Sequence, residues 1–253
     1  MIENMMLSIR TSLSLLLLTL TGPLHAACED LPAPGVNWSG CDKQGIDLSG
    51  ADLRGAMMKR TRLQGAKLAG ARLNGIDFSF AVLEGADLSA ARLNGARLLS
   101  ANLRQVDLSK AQMVEARFDR ATLQQANMEG ANLRKASLYQ CNMGQANLKA
   151  ANLQEAQLKQ ANLDGADLSK ANLQQADLYL ASLERARLTD ANLEKAKLEK
   201  ANLYYTDLRG SNLRRASLVD AELFETRFEG STLGGALWVD RKRCRNDSGE
   251  LCE

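Results

Sequence analysis

Between Ala151 and Leu178 the chain reads ANLQEAQLKQANLDGADLSKANLQQADL: a small residue, then leucine two positions later, every five residues. The same register runs from Leu48 to Trp238 without insertion or deletion. Every central position is leucine except Met58, Phe78, Met113, Phe118, Met128, Met143, Phe228 and Trp238. Two residues before each centre stands a small or modest side chain, mostly alanine. Five residues turn an α-helix by about 500°, so successive leucines would spiral around its whole surface. A straight strand puts Ala and Leu on one face but sends the next Ala to the other. The pattern therefore predicts a corner once per repeat, and such corners wind the chain into a solenoid. Two positions of each repeat fill its narrow axis and three face solvent.

Residue sizes fit that geometry. A second large residue per repeat would not enter a close-packed axis, hence the alanines. Each buried leucine contributes roughly 1.5–3 kcal/mol, so the stacked leucines supply a core without aromatic bulk; aromatics are only 4% of the chain. Glycine recurs at the last repeat position, as at Gly50, Gly70, Gly130, Gly165, Gly210 and Gly230, where a tight turn favours it.

The units ANLQQ, ADLSK, ASLER and AKLEK resemble the pentapeptide-repeat family, summarised as A-(D/N)-L-x-x, over roughly residues 36 to 240. The resemblance implies an all-β fold, a right-handed quadrilateral parallel β-helix with four repeats per coil. It would have about 10 coils and a length near ~50 Å. The best-understood members mimic DNA and bind gyrase, giving quinolone resistance, which calls for a cytoplasmic location and a strongly acidic surface.

Two features point away from that activity. Lys+Arg number 32 against 30 Asp+Glu, a net charge of +2. This balance neither imitates DNA nor draws the chain to it. The N-terminus also reads as an export signal over 1–26, with Arg10, the apolar run Leu13 to Leu20, and a small-residue cleavage region in GPLHAA. The apolar run is too short to span a bilayer as a mature helix. An acylated Cys28 would want an aliphatic residue three positions before it, and His25 stands there. The expected organisation is a signal peptide at 1–26, an N-terminal cap with degenerate repeats at 27–45, the β-helix at 46–240 and a cysteine-containing C-terminal cap at 241–253. The expected location is periplasmic or secreted.

Removal of the signal removes His25, the sole histidine. Ser-His-Asp and Cys-His catalysis and every histidine metal site are then excluded. Glycines keep the five-residue beat and form no phosphate-binding loop. A filled solenoid also offers no cleft for catalysis. The expectation is a non-enzymatic chain without cofactor or metal.

Open solenoid ends need covers. Cys28 and Cys41 flank the first, degenerate repeats, and Cys244 and Cys252 flank the tail. In an oxidising compartment each pair could close a short loop. Cys141 stands at an inward alanine position, as a buried free thiol. The tail also resembles C-terminal extensions of exported family members.

With four repeats per coil, residues twenty apart stack. The side through Leu53, Leu73 and Leu93 carries eight Lys or Arg against Asp52, Glu115, Glu155 and Glu194, a mildly basic, solvated face. Two outward apolar groups stand out. Leu99, Tyr139, Tyr179 and Val219 occupy the position after the centre on one side, every second coil, with Phe80 and Leu180 beside them. On another side Tyr204 and Phe224 stack, with Tyr205 adjacent. Aromatic groups outside a core are candidates for partner contact. The expected partner is a protein of unknown identity, a homodimer included, rather than nucleic acid.

Overall fold

A computed structural model describes residues 28–245 and Cys252. The expected export segment at 1–26 lies outside the described residues, as does most of the tail beyond residue 245. The chain winds as a four-sided β-helix in which the residue before each centre bridges, in parallel, to the residues twenty before and twenty after it. Asn152, for example, pairs with Asn132 and Asn172. The sides are named below by their centres in one coil: Phe78, Leu83, Leu88 and Leu93.

One repeat shows how the coil is held. Leu153 N–H donates to the Asn172 carbonyl at 2.7 Å and Glu155 N–H to the Gln174 carbonyl at 2.9 Å, while Asn172 N–H returns to the Ala151 carbonyl at 2.9 Å. The corner is a turn in which the Leu153 carbonyl accepts from Ala156 N–H at 3.0 Å. Its third residue, Glu155, has φ 59°, the signature of a type II turn. Ala151 and Leu153 point inward and are fully buried.

Every residue whose number is a multiple of five from 35 to 235 shares that left-handed conformation. Glycine serves most corners near the N-terminal end, but through the middle of the rod most corners are Gln, Lys, Arg or Glu. Such residues cost roughly 1–2 kcal/mol each in this region. Glycine, in turn, loses more entropy on folding, and a corner side chain can stack on the next. Gln105 donates to Gln125 at 3.0 Å and Gln125 to Gln145 at 3.1 Å. At Gly210, with φ 68°, an added Cβ would lie 2.5 Å from Asp190 Oδ1, so a larger residue there would displace the Asp190 side chain.

Inward threonines are satisfied by the coil before them, and the inward serines Ser211 and Ser231 by the turn carbonyls of Leu208 and Phe228. Thr61 and Thr206 donate their hydroxyls to the carbonyls of Trp38 and Leu183, at 2.6 and 2.8 Å. Cys141 is a buried free thiol 2.7 Å from the Phe118 carbonyl. Burial pushes its pKa far up, so it stays protonated.

The ends differ from the middle. At the N-terminal end Cys28 is joined to Cys41. Lys43 holds a central position there without burying a charge in the axis. Its ammonium lies 4.3 Å above the Trp38 ring and donates to the Cys28 carbonyl at 2.5 Å. At the C-terminal end the chain folds back so that Arg243 bridges Leu237 in antiparallel fashion, and Cys244 is joined to Cys252. This return pairs with the last repeats, where Leu233 is fully buried and Trp238 half-buried. The central residues Leu223 and Phe228, on the other two sides, are only half-buried. Their N–H groups have no backbone partner among the described residues. The register thus holds to Trp238, but burial weakens where no further coil is stacked.

Candidate functional site

The aromatic group on the Leu83 side is built by stacking at twenty-residue spacing. Tyr204 follows Leu203 in one coil and Phe224 follows Leu223 in the next. Their ring centres are 5.9 Å apart with planes at 68°. Tyr205, at the adjoining corner with φ 57°, meets Phe224 at 5.5 Å and 87°. Both are edge-to-face contacts, which favour the aromatic quadrupoles. Phe224 is 56% exposed and Tyr205 46%. Phe224 stands out because it belongs to the last coil; Tyr205 does so because a corner side chain points away from both flanking sides.

Charge frames the rings. The Arg185 guanidinium, one coil earlier at the same corner, lies 5.3 Å from the Tyr205 ring centre and pairs with Glu184. The Glu222 carboxylate beside Tyr204 raises the pKa of its phenol. The site therefore combines an apolar, partly desolvated centre with a polar margin, the anatomy of a protein contact. Sequence reading found the three aromatics but missed Arg185; the twenty-residue column was the signal for it.

The second group lies on the Phe78 side. Leu99, Tyr139, Tyr179 and Val219 are half-buried rather than free-standing, because the position after the centre lies against its neighbours in adjacent coils. Asp119 and Lys159 stand between them. Asp119 lies 3.5 Å from Arg117 and Lys159 3.3 Å from Asp177. The protruding members are Phe80 and Leu180, 53% and 41% exposed, both at left-handed corners with φ 61° and 56°. A groove of about 500 Å³ runs past Phe80, Leu99, Arg117, Arg120 and Tyr139. The two aromatic groups sit on adjacent sides and remain separate surfaces.

The basic side through Leu93 is offset in part by local pairs. Arg54 pairs with Asp52, Lys135 with Glu155 and Lys195 with Glu194. Among the described residues no three His, Cys, Asp or Glu side chains gather as a metal site. No described helix is long and apolar enough to cross a membrane.

Family models agree with this geometry. The model described as "Pentapeptide repeat region" matches residues 131–208, and "Pentapeptide repeats (8 copies)" matches 39–75, 61–98, 71–109, 111–149 and 201–237. The comparison with curated proteins returns no match. Among solved structures, the chain is 32% identical to HetL, a pentapeptide repeat protein involved in heterocyst differentiation regulation from the cyanobacterium Nostoc sp. strain PCC 7120. The match covers 79% of this chain and 92% of HetL, with a TM-score of 0.62. A trypsin-treated form of QnrB1, a plasmid-mediated fluoroquinolone resistance protein, matches at 20% identity over 67% of this chain and 89% of its own, with a TM-score of 0.61. The second likeness is one of fold alone. The five-residue register, the four-sided coil and these matches together make the chain a member of the pentapeptide-repeat family.

Proposed function

We propose that this chain acts without catalysis, as an exported rod that binds a protein through side chains standing out from its regular surface. The Tyr204–Tyr205–Phe224 cluster is the principal contact. The observation that carries the reading is Tyr205 itself, a large aromatic held at a left-handed corner with 46% of its surface exposed. Bulky residues are rare in that conformation, and glycine occupies the equivalent corner at Gly45, Gly65 and Gly85. The Tyr205 ring meets Arg185 and Phe224, both outside the core, so an exposed aromatic at a strained corner supports a role in binding.

Two disulfides support residence in an oxidising compartment, in keeping with the export segment read from the sequence. The DNA-mimic reading has only the fold likeness to QnrB1 in its favour. It lacks the strongly acidic surface that it needs, since Lys+Arg number 32 against 30 Asp+Glu. Replacement of Tyr204, Tyr205 and Phe224 by serine tests the binding reading. The substitutions should change the sedimentation coefficient or abolish capture of a partner from the native envelope. An unchanged size and capture profile would reject the cluster as an interface. Recovery of the full-length chain from the cytoplasm would instead revive the topoisomerase reading.

A further inference from the structure

The strip on the Phe78 side has a spacing of its own. Leu99, Tyr139, Tyr179 and Val219 recur every second coil. Neighbouring strands lie about 4.7–4.9 Å apart, so these residues are about 9.6 Å apart along the rod. An extended strand laid along the axis presents same-face side chains about every 6.8 Å and falls out of step at once. An α-helix returns a heptad position every 10.5 Å or so and drifts by almost 3 Å over three intervals. A polyproline II helix returns the same face every three residues, about 9.3 Å, and drifts by about 1 Å over the same length.

The chemistry fits the same ligand. Polyproline II segments are recognised by grooves lined with aromatic rings, because their preformed backbone loses little entropy on docking. Tyr139 and Tyr179 supply two such rings, and Phe80 and Leu180 stand out beside the strip as walls. Phe80 and Leu180 also repeat the anomaly of Tyr205, bulky apolar residues in a left-handed corner.

Charge sets the sign of the ligand. Arg60, Phe80 and Arg120 share one corner column. Among the described residues neither arginine forms an ion pair. Arg60 lies 5.5 Å from the Phe80 ring centre, and Arg120 donates to Gln140 Oε1 at 3.2 Å. Arg120 lines the groove together with Arg117 and Asp119, which pair with each other, and Arg60 lies beside Phe80 toward the N-terminal end of the strip. The charge left over there is positive and complementary to carboxylates on a docked chain.

We infer that the Phe78 side binds an acidic, proline-rich segment of a partner protein, running along the rod axis as a polyproline II helix with an apolar residue every third position. This surface adds to the binding-rod reading and lies apart from the Tyr204–Tyr205–Phe224 cluster, so the two can fail separately.

The probe is a fluorescein-labelled peptide with four Pro-Pro-Leu units between terminal glutamates, titrated by fluorescence anisotropy at low salt. Saturable binding is expected. It should weaken at least tenfold in the Tyr139→Ser/Tyr179→Ser variant and in Arg120→Glu, and stay unchanged in Lys149→Ser on the opposite side and in Phe224→Ser. Phe80→Gly, which relieves a left-handed corner and keeps the fold, should also weaken binding. A peptide with leucine every second residue should bind at least tenfold more weakly, and a lysine-ended analogue more weakly than the glutamate-ended one. No saturable binding, equal affinity for the two leucine spacings, or tighter binding of an amphipathic α-helical peptide would overturn the inference. Loss of binding in Phe224→Ser with retention in Tyr139→Ser/Tyr179→Ser would also overturn it, by moving the contact to the C-terminal cluster.

Discussion

Arg185 and Tyr205 occupy the same corner in successive coils, with the guanidinium 5.3 Å from the ring centre. The pair lies outside the core and spends a left-handed backbone on an aromatic. Tyr205→Gly should therefore leave the melting temperature unchanged or slightly raised. Relief of about 1–2 kcal/mol of corner strain offsets the roughly 0.5–1 kcal/mol that glycine loses in entropy. Partner capture should fall in the same variant. Thermal unfolding beside a binding assay checks this; a large loss of stability would make Tyr205 a structural residue.

The axis should tolerate no charge. Leu163 is fully buried, and Leu163→Asp should cost at least about 3 kcal/mol, the range expected when an unpaired charge is buried. Lys149→Ser, on an outward position, should stay within about 0.5 kcal/mol. Equal effects in urea unfolding would show that inward and outward positions are wrongly assigned.

The N-terminal cap depends on Cys28–Cys41 and on Lys43. The disulfide closes a loop with a sequence separation of 13, and opening a loop of this size costs about 3 kcal/mol. Cys28→Ser/Cys41→Ser should lower the melting temperature under non-reducing conditions. A reducing agent should then produce no additional shift from this end. An undiminished melting temperature in the double variant would mean that the rod end is held by packing alone.

Asp207 gives a pH signature. The side-chain hydrogen bond from Arg209, with bonds of 2.8 and 2.6 Å, holds its carboxyl below the usual carboxylate range. A depressed folded-state pKa contributes stability above the unfolded value of about 3.9 and loses it as pH falls through the folded value. Asp207→Asn should therefore lower the melting temperature at pH 7, with the difference fading as the pH falls below the usual carboxylate range. A constant difference at both pH values would assign the effect to packing.

Much of the fold was legible in the sequence because its period of five matches neither helix nor strand. Ala151 and Leu153 could be placed inside from spacing and size alone. Lys43 shows what spacing leaves open. It occupies a central position, yet its fate depends on Trp38 and on the Cys28 carbonyl above the rod end. Leu223 has the same sequence setting as Leu203, but only Leu203 has a coil above it and is fully buried. For the candidate site, the twenty-residue column grouped Tyr204 with Phe224 and Leu99 with Tyr139. Which of them protrude was hidden, because a residue after the centre lies flat against its stack while a corner residue stands clear of it. Glycine marked some corners in the sequence. The left-handed corners at Glu155 or Tyr205 carried no such mark, since stacking along the column offsets the strain there.

The most direct test of the binding-rod account is site-specific photocrosslinking in intact cells. A photoreactive phenylalanine analogue is placed at position 224 and, on the opposite side, at position 154. The account predicts a discrete crosslinked species from position 224, lost when Tyr204 and Tyr205 are also replaced by serine, and none from position 154. No crosslink at 224, or the same species from both positions, would contradict it.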